Sequence, residues 1–597
     1  MCGIVGYVGQ EVSIDLGLTT LKRLEYRGYD SAGLAIYTSD GIKCVKTTGR
    51  VSQLEERVLA QKFSGSPMIL HTRWATHGSI TEANAHPFYD CSKSIYLVHN
   101  GIIENYVELK NELIKDGHHF TSDTDSEVLC HLIESYYKKT LEEAVREALR
   151  HVKGAYAICA ISSRDPQKIV AACLSSPLTI GVNDNGYLIA SDTNAVLPYT
   201  HKIVNLDDFE TALITDKGFS VYREKIPTLV DFAPEDMSKG DYSSYTLKEI
   251  FEQPASLENT LRGRTDSHTR RIKLGGIESV SERLFNTDRL VLVACGTAYH
   301  ACLSGKYMLE DYTSIPVEVD FGSEYRYRRH QLHKDDTVVF VSQSGETSDV
   351  IAALKDAKSS GALTLGIVNN VGTTIARSVD AGVYLHAGLE VGVAATKTFT
   401  SQLVALLLLA LFLGNKEIDG SVIEDLNKLP ELARTVLNSD SQIKVLADKY
   451  KNYNNMYYIG RRYSYPVALE GALKAKEIAY VHAEGLCAGE LKHGDLSLVG
   501  EGFPTVAIVP VDSVYEKTLS NIEEIKTRHG TVIAIATEGD KRITKLADDV
   551  IYIPSVREEL TPILSVIPLQ LFAYYLGIAR KCDVDKPRNL AKSVTVE

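Results

Sequence analysis

The second half of the chain is written twice. From about residue 280, short apolar runs with strand character alternate with helical patterns, as in "RLVLVACGTAYHACLSGKYML", "DTVVFVSQSGETSDVIAALKDAKSSG" and "LTLGIVNN". Buried strands separated by helices predict a doubly wound parallel sheet. After about 165 residues the pattern returns. "NMYYIGRRYSYPVALEGALKAKEIAY" echoes the first unit, setting Gly460-Arg461-Arg462-Tyr463 against Gly296-Thr297-Ala298-Tyr299, and "TVAIVPVDSVYEKTLSNIEEIKTRHGTVIAIA" sets Gly530 against Gly361. The copies differ at one loop, where "SQSGETSD" in the first becomes "PVDSVYEK" in the second.

A chain of 597 residues with 44% apolar content is too long for one core and fits several domains. Up to about residue 235, β-rich runs such as "SIYLVHNG" mix with helical patterns, predicting an α+β domain. "VDFAPEDMSKGDYSSYTLKEIFEQP" has no sustained apolar period, so a linker is expected there. The expected division is 1–235, a linker at 236–255, sheet domains at 280–420 and 440–585, and a tail at 586–597. The net charge of -13 argues against nucleic-acid or anionic-membrane partners and for small molecules or other subunits. Ten cysteines without paired spacing predict a reducing compartment. The longest apolar run, Leu403–Leu413, is too short to span a bilayer and predicts a buried helix in a cytoplasmic protein.

Several residues suggest chemistry. Cys2 is either a small buried hydrophobe or, once Met1 is removed, a nucleophile carrying its own amine as base. Ser342, Ser344 and Thr347 surround Gly345 at a strand-to-helix junction, where hydroxyls and peptide N–H groups favour a phosphate monoester over a plain helix cap. No GxxxxGK[ST] accompanies them, which argues against a nucleotide loop. "HTRWATHG" holds the sole Trp beside Arg73, whose fork suits a carboxylate, and its His71 and His77 lack metal-site spacing. In "HNG", Asn100 and Gly101 make either an ordinary turn or an oxyanion hole. In "SDTDSE" one of Asp123 and Asp125 could cap the next helix, leaving the other for an ammonium group. Lys474 and Glu477 share a helix face, either as a surface ion pair or as an acid–base pair.

"MCGIVGY", "LEYRGYDSAG", "HTRWATHG", "HNGIIEN" and "SDTDSE" together resemble the glutaminase domain of the N-terminal-nucleophile amidotransferases. "CGTAYH", "SQSGET", "ALEGALKAKEI", "GELKHG" and "DVDKPRNLAKSVTVE" are similar to the paired sugar-isomerase domains of the glucosamine-6-phosphate synthase family. The resemblance spans essentially the whole chain and implies an αββα sandwich followed by two doubly wound sugar-isomerase domains. It implies that Cys2 attacks glutamine, with Asn100 and Gly101 as the oxyanion hole and Arg73, Thr76, His77 and Asp125 holding the amino acid. Fructose 6-phosphate would bind Thr297, Ser342, Gln343, Ser344, Thr347 and Val393. Lys592 would form a Schiff base, Glu477 and Lys474 would move protons, and His493, lent by a second subunit of a homodimer, would assist ring opening. Trp74 would gate an ammonia channel, and no metal or other cofactor is implied. Ala298 and Ala395 stand where relatives often carry Ser, each removing a hydroxyl worth ~1 kcal/mol as a hydrogen bond. The alternatives are another class of glutamine amidotransferase, or a sugar-phosphate sensor with a relic glutaminase.

Overall fold

The computed structural model describes residues 2–10, 14–221, 223–229, 238–329, 331–414 and 418–595. Met1, whose removal the nucleophile reading requires, lies outside them. The chain divides into two units, one of residues 1–236 with Ser593–Glu597 and the other of Met237–Lys592.

In the first unit, strand Gly3–Gly9 shows how the layers arise. Its alternating side chains feed two different cores. Val5 and Tyr7 pack with Leu18, Leu21 and Leu54 from the helices Asp15–Arg23 and Val51–Leu59. Ile4 and Val8 face Ile161, Ile169 and Ile180 in the space between two sheets. One antiparallel sheet has eight strands, with Gly3–Gly9 between Gly186–Ala190 and Met68–Arg73. The other has six, and strand Ile95–Ile103 in turn splits its side chains, Leu97 toward helix Glu127–Tyr136 and Val98 toward the first sheet. The result is the expected helix–sheet–sheet–helix sandwich.

In the second unit each repeat builds a five-stranded parallel sheet. Strand Arg289–Ala294 lies between Val317–Phe321 and Asp336–Ser342, followed by Leu363–Val368 and Ala381–Tyr384. Strand Asn455–Gly460 lies likewise between His482–Cys487 and Thr505–Val509, followed by Val532–Thr537 and Asp549–Ile553. The two strand orders are the same, so the repeat is structural. One detail of the register differs from expectation. Gly296 opens a helix with φ +56°, whereas Gly460 is the last residue of its strand, so the two glycines are not equivalent. Both repeats share one core, in which helices Gly296–Tyr312, Lys397–Leu413, Ser464–Ala479 and Thr561–Ala579 meet.

The expected linker at 236–255 needs correction. Residues 236 and 237 lie outside the described set, but Tyr245–Phe251 and Gln253–Leu261 are helices of the second unit. The polar residues that hid them have local work. Ser244 Oγ accepts from the Leu247 N–H at 3.2 Å, and buried Glu249 accepts from the backbone of Val391 and Gly392. Leu403–Leu413 lies in a buried helix, as expected. A longer stretch, Glu558–Ala579, is apolar enough to cross a membrane by composition, yet 89% of an 18-residue window within it is enclosed by protein. All ten cysteines are free.

Candidate active site

The first centre forms where the two antiparallel sheets face each other. Gly3 pairs with Thr72, which delivers Cys2 to the end of strand Met68–Arg73. There the Trp74 N–H donates to Cys2 Sγ at 3.4 Å, and the Asn100 amide, from the opposite sheet, donates to the Cys2 carbonyl at 3.2 Å. Enclosure pushes the thiol's pKa up, while the Trp74 peptide and the Arg73 charge draw it down. The sulfur therefore rests as a thiol and needs a base.

Asn100 and Gly101 are not a turn. They lie within strand Ile95–Ile103, and Gly101 has φ +130°, with any Cβ falling 2.0 Å from the Ala155 carbonyl oxygen. Only glycine fits there. Burial drives the pKa of His71 down to about 3, so its ring is neutral. Its Nε2–H donates to the His99 carbonyl at 2.9 Å and to Asn100 Oδ1 at 3.1 Å. That bond fixes the amide with its NH₂ toward Cys2.

Buried Arg73 donates to the carbonyls of His77 and Ser79, holding the loop that carries Trp74, Thr76 and His77. Burial lowers the guanidinium pKa, against the carboxylates of Asp30 and Asp125, which share its neighbourhood with the Cys2 sulfur. Neither aspartate caps the helix that follows, whose N-cap is Ser126 without a side-chain bond. Asp125 instead accepts from the Ile103 N–H at 2.8 Å, and the Asp123 N–H is held by Asn84 at 3.0 Å. Trp74 stands edge-on to Tyr29 at 5.7 Å, and His77 edge-on to Tyr106 at 5.5 Å.

The second centre lies at the carboxyl ends of Arg289–Ala294 and Asp336–Ser342. These are the neighbouring strands at which the order of the sheet reverses, the place where open α/β sheets bind ligands. Ser342 Oγ accepts from the Gly345 N–H at 3.0 Å and sits 3.0 Å from Thr347 Oγ1, while Ser344 Oγ accepts from the Glu346 N–H at 3.1 Å. Gly345 has φ +67°, and a Cβ there would fall 2.1 Å from Thr373 Oγ1. The one acid in the loop, Glu346, is engaged by the Thr374 N–H at 2.7 Å. The cradle opens onto helix Ser348–Ser359, and its uncharged donors suit an anion.

The corresponding crevice in the second repeat has a different chemistry. Asp512 replaces the hydroxyls, its pKa raised by burial to about 6, and Arg462 pairs with Asp311 at 2.6 Å and Glu558 at 2.7 Å. That repeat instead lends a helix to the first. From Ser464–Ala479, Glu470 accepts from Thr297 at 3.0 Å and meets His300 Nδ1 at 2.8 Å, while Lys474 donates to Thr297 at 3.2 Å. Lys474 is fully buried and ion-paired with Glu477, so this is not a surface pair. Burial alone would lower the Lys474 pKa, but Glu470 and Glu477 outweigh it and raise it.

Lys592 joins the same neighbourhood. Its Nζ donates to buried Glu390 at 2.6 Å, and Glu390 also acts on Lys474. Burial works against the Glu390 carboxylate, but the Lys592 charge and bonds from Thr396 and Thr398 hold its pKa below the usual range. Glu249 does the opposite, raised to about 8 by burial and by the Glu390 charge. Two buried carboxyl groups therefore sit by one amine, with their affinities for a proton pushed apart.

The glutamine amidotransferase domain family matches residues 71–198, and the SIS domain family matches 283–412 and again 449–580. Over the whole of both chains, the protein is 48% identical to the glutamine–fructose-6-phosphate aminotransferase (isomerizing) of Chlorobaculum tepidum. It is 46% identical to that of Thermus thermophilus, again over the whole of both. The chain belongs to the glutamine–fructose-6-phosphate aminotransferase family. Among solved structures, the C-terminal domain of the glucosamine-fructose-6-phosphate aminotransferase from Francisella tularensis aligns with a TM-score of 0.56 at 35% identity, covering 58% of this chain and 99% of that one.

For a member of the aminotransferase family, most of the expected residues converge. Cys2, Asn100, Gly101, Arg73 and Asp125 form one centre, and Thr297, Lys474, Glu477 and Lys592 meet through Glu470 and Glu390 in the other. Val393 is buried with its N–H on the Asp585 carbonyl at 3.0 Å, and the Gln343 carbonyl accepts from the Asn369 N–H at 3.3 Å. His493 is exposed at the end of the turn Glu490–His493, and no hydrogen bond or ion pair among the described residues joins it to Lys474, Glu477 or Lys592. Sequence reasoning missed Glu390, Glu249, Glu470, His300 and His71. Glu470 was within reach, four residues before Lys474 on one helix face.

Proposed function

We propose that the protein converts fructose 6-phosphate and glutamine into glucosamine 6-phosphate and glutamate, the entry step to amino-sugar synthesis, in the cytoplasm. The observation that carries this reading is Lys592 seated on buried Glu390, whose charge also acts on Lys474 of the Lys474–Glu477 pair. Glutamine binds with its carboxylate toward Arg73, near Thr76 and His77, and its ammonium toward Asp125. With Met1 removed, the Cys2 amine takes the thiol proton and the sulfur attacks the side-chain amide. The Asn100 NH₂ and Gly101 N–H stabilise the oxyanion. Ammonia leaves, and water releases glutamate from the thioester.

The sugar phosphate binds Ser342, Gln343, Ser344 and Thr347, with Thr297 and Val393 nearby. His493 of a second subunit in a homodimer assists ring opening. Lys592, in its unprotonated form, condenses with the C2 ketone, and ammonia displaces it. Glu477, with Lys474 beside it, moves the proton between C1 and C2 to give the aldose. Ammonia in neutral water is mostly protonated, so it travels by an enclosed channel gated by Trp74.

The test is to supply glutamine and fructose 6-phosphate and measure glutamate and glucosamine 6-phosphate together. Both are expected, with glutamate release stimulated by the sugar. If no amino sugar forms, the proposal fails. Cys2→Ala should abolish glutamine-dependent synthesis yet keep isomerisation of the sugar phosphate.

A further inference from the structure

Away from both centres, four ligand-type side chains converge on one point in the first unit. Cys91 follows strand Phe88–Tyr89, His118 lies in the loop after helix Tyr106–Lys115, and His131 and Glu134 stand one turn apart on helix Glu127–Tyr136. One donor atom from each lies within 4.8 Å of all the others. Cys91 Sγ is 3.6 Å from His118 Nδ1 and 3.5 Å from His131 Nδ1. Glu134 Oε2 is 3.0 Å from His118 Nδ1 and 3.5 Å from His131 Nδ1.

Four of the six edges that a tetrahedral metal site would have are therefore 3.0–3.6 Å. Bond lengths of about 2.3 Å to sulfur and about 2.0–2.1 Å to nitrogen or oxygen at a tetrahedral zinc give edges of roughly 3.6 Å from S to N and roughly 3.4 Å from N to O. Hydrogen bonding explains the cluster less well. One thiol and two imidazole Nδ1 atoms carry at most three protons for four contacts, three of which, at 3.5–3.6 Å, are longer than the 3.0 Å between His118 and Glu134. The outer layer also fits. His131 Nε2, buried and without a hydrogen-bond partner, lies 3.7 Å from Glu127 Oε1, the place of the carboxylate that commonly orients a metal-bound imidazole. Glu127 is itself fixed by the N–H and hydroxyl groups of Thr121 and Ser122 at 2.7–2.8 Å.

We propose that Cys91, His118, His131 and Glu134 bind a structural zinc ion. A thiolate with two imidazoles favours zinc over magnesium or calcium, and four protein ligands leave no open position for catalysis. Binding displaces the Cys91 thiol proton to solvent. The ion ties the hairpin at Cys91 and helix Glu127–Tyr136 to the segment 118–126, which carries Asp123 and Asp125. It would therefore brace the glutamine pocket without touching substrate.

The spacing 91, 118, 131, 134 matches no common zinc motif, which is why the sequence alone pointed to no metal. The test uses the full chain, expressed with zinc, desalted and analysed by mass spectrometry, with about one zinc per chain expected. In a Cys2→Ala background, the metal-free protein titrated with Co²⁺ should develop thiolate-to-cobalt and tetrahedral absorption bands. Cys91→Ser should remove the thiolate band, and His118→Ala should lower Co²⁺ affinity. Wild-type protein that holds no zinc after incubation with equimolar Zn²⁺ would overturn the proposal. So would a Co²⁺ spectrum unchanged in both variants.

Discussion

At the residue scale, the glutaminase centre depends on orientation more than on charge. Asn100 is aimed by a neutral His71, and the cost of losing its donor can be stated. Asn100→Ala should lower the glutaminase kcat about 10²–10³-fold with little change in KM, as for removal of one oxyanion donor. Steady-state kinetics of glutamate release would check it. The same environment sets a pH limit. His71, His86 and His99 are all drawn below their ordinary value of 6.5 by burial. Their neutral forms support the fold above that value, and the support is lost as pH falls toward the folded pKa. The first unit should therefore weaken steadily below about pH 6.5, and denaturant titrations at stepped pH would show it. In the other centre, Lys592→Ala leaves Glu390 buried without its partner, at a cost of about 3–5 kcal/mol. Lys592→Arg should recover most of that stability but no synthesis. Cys2, Arg73, Asn100 and Lys592 were legible as residues, because their types suit the chemistry. Glu390 and Glu249 were not: one stands alone in the apolar "HAGLEVGVAA" and the other in the polar segment expected to be a linker, and neither setting shows which amine the acid will face.

At the scale of elements, the repeat was readable from the alternation of strands and helices, and the strand order confirms it. What could not be read was which copy serves which centre. The sequence shows that "SQSGETSD" is kept in one copy alone, but only the packing shows that helix Ser464–Ala479 crosses to the other copy's crevice. The helices at Tyr245–Phe251 and Gln253–Leu261 were invisible because caps and a buried glutamate interrupt their apolar pattern. The hydroxyl loop has its own dependence on backbone shape. Gly345→Ala sets a Cβ at 2.1 Å from Thr373 Oγ1 in left-handed backbone, a strain of about 1–3 kcal/mol. It should raise the KM for fructose 6-phosphate severalfold while leaving basal glutaminase activity intact, and parallel assays of the two half-reactions would separate these effects.

At the scale of the whole molecule, two units with separate cores should unfold in two calorimetric transitions. Fructose 6-phosphate should move only one of them, by about 2.7 kcal/mol at a hundred times Kd. Rising pH should act on that same transition. Glu249, with its folded pKa near 8 against an ordinary 4.5, supports the fold fully below about pH 4.5, and that support is lost progressively as pH rises from there through 8, above which stability levels off. Glu249→Gln should flatten the loss, as denaturation at pH steps between about 4.5 and 8 would show. The shared core of the repeats has a historical meaning as well. A duplicated domain usually leaves a spare that mutation can erode or deletion remove. Here one descendant keeps the crevice while the other supplies the helix that walls it, and has filled its own crevice with Arg462 and Asp512. Neither descendant can be lost or exchanged for the other, so what began as redundancy has become mutual dependence, and selection now acts on the pair as a single heritable unit.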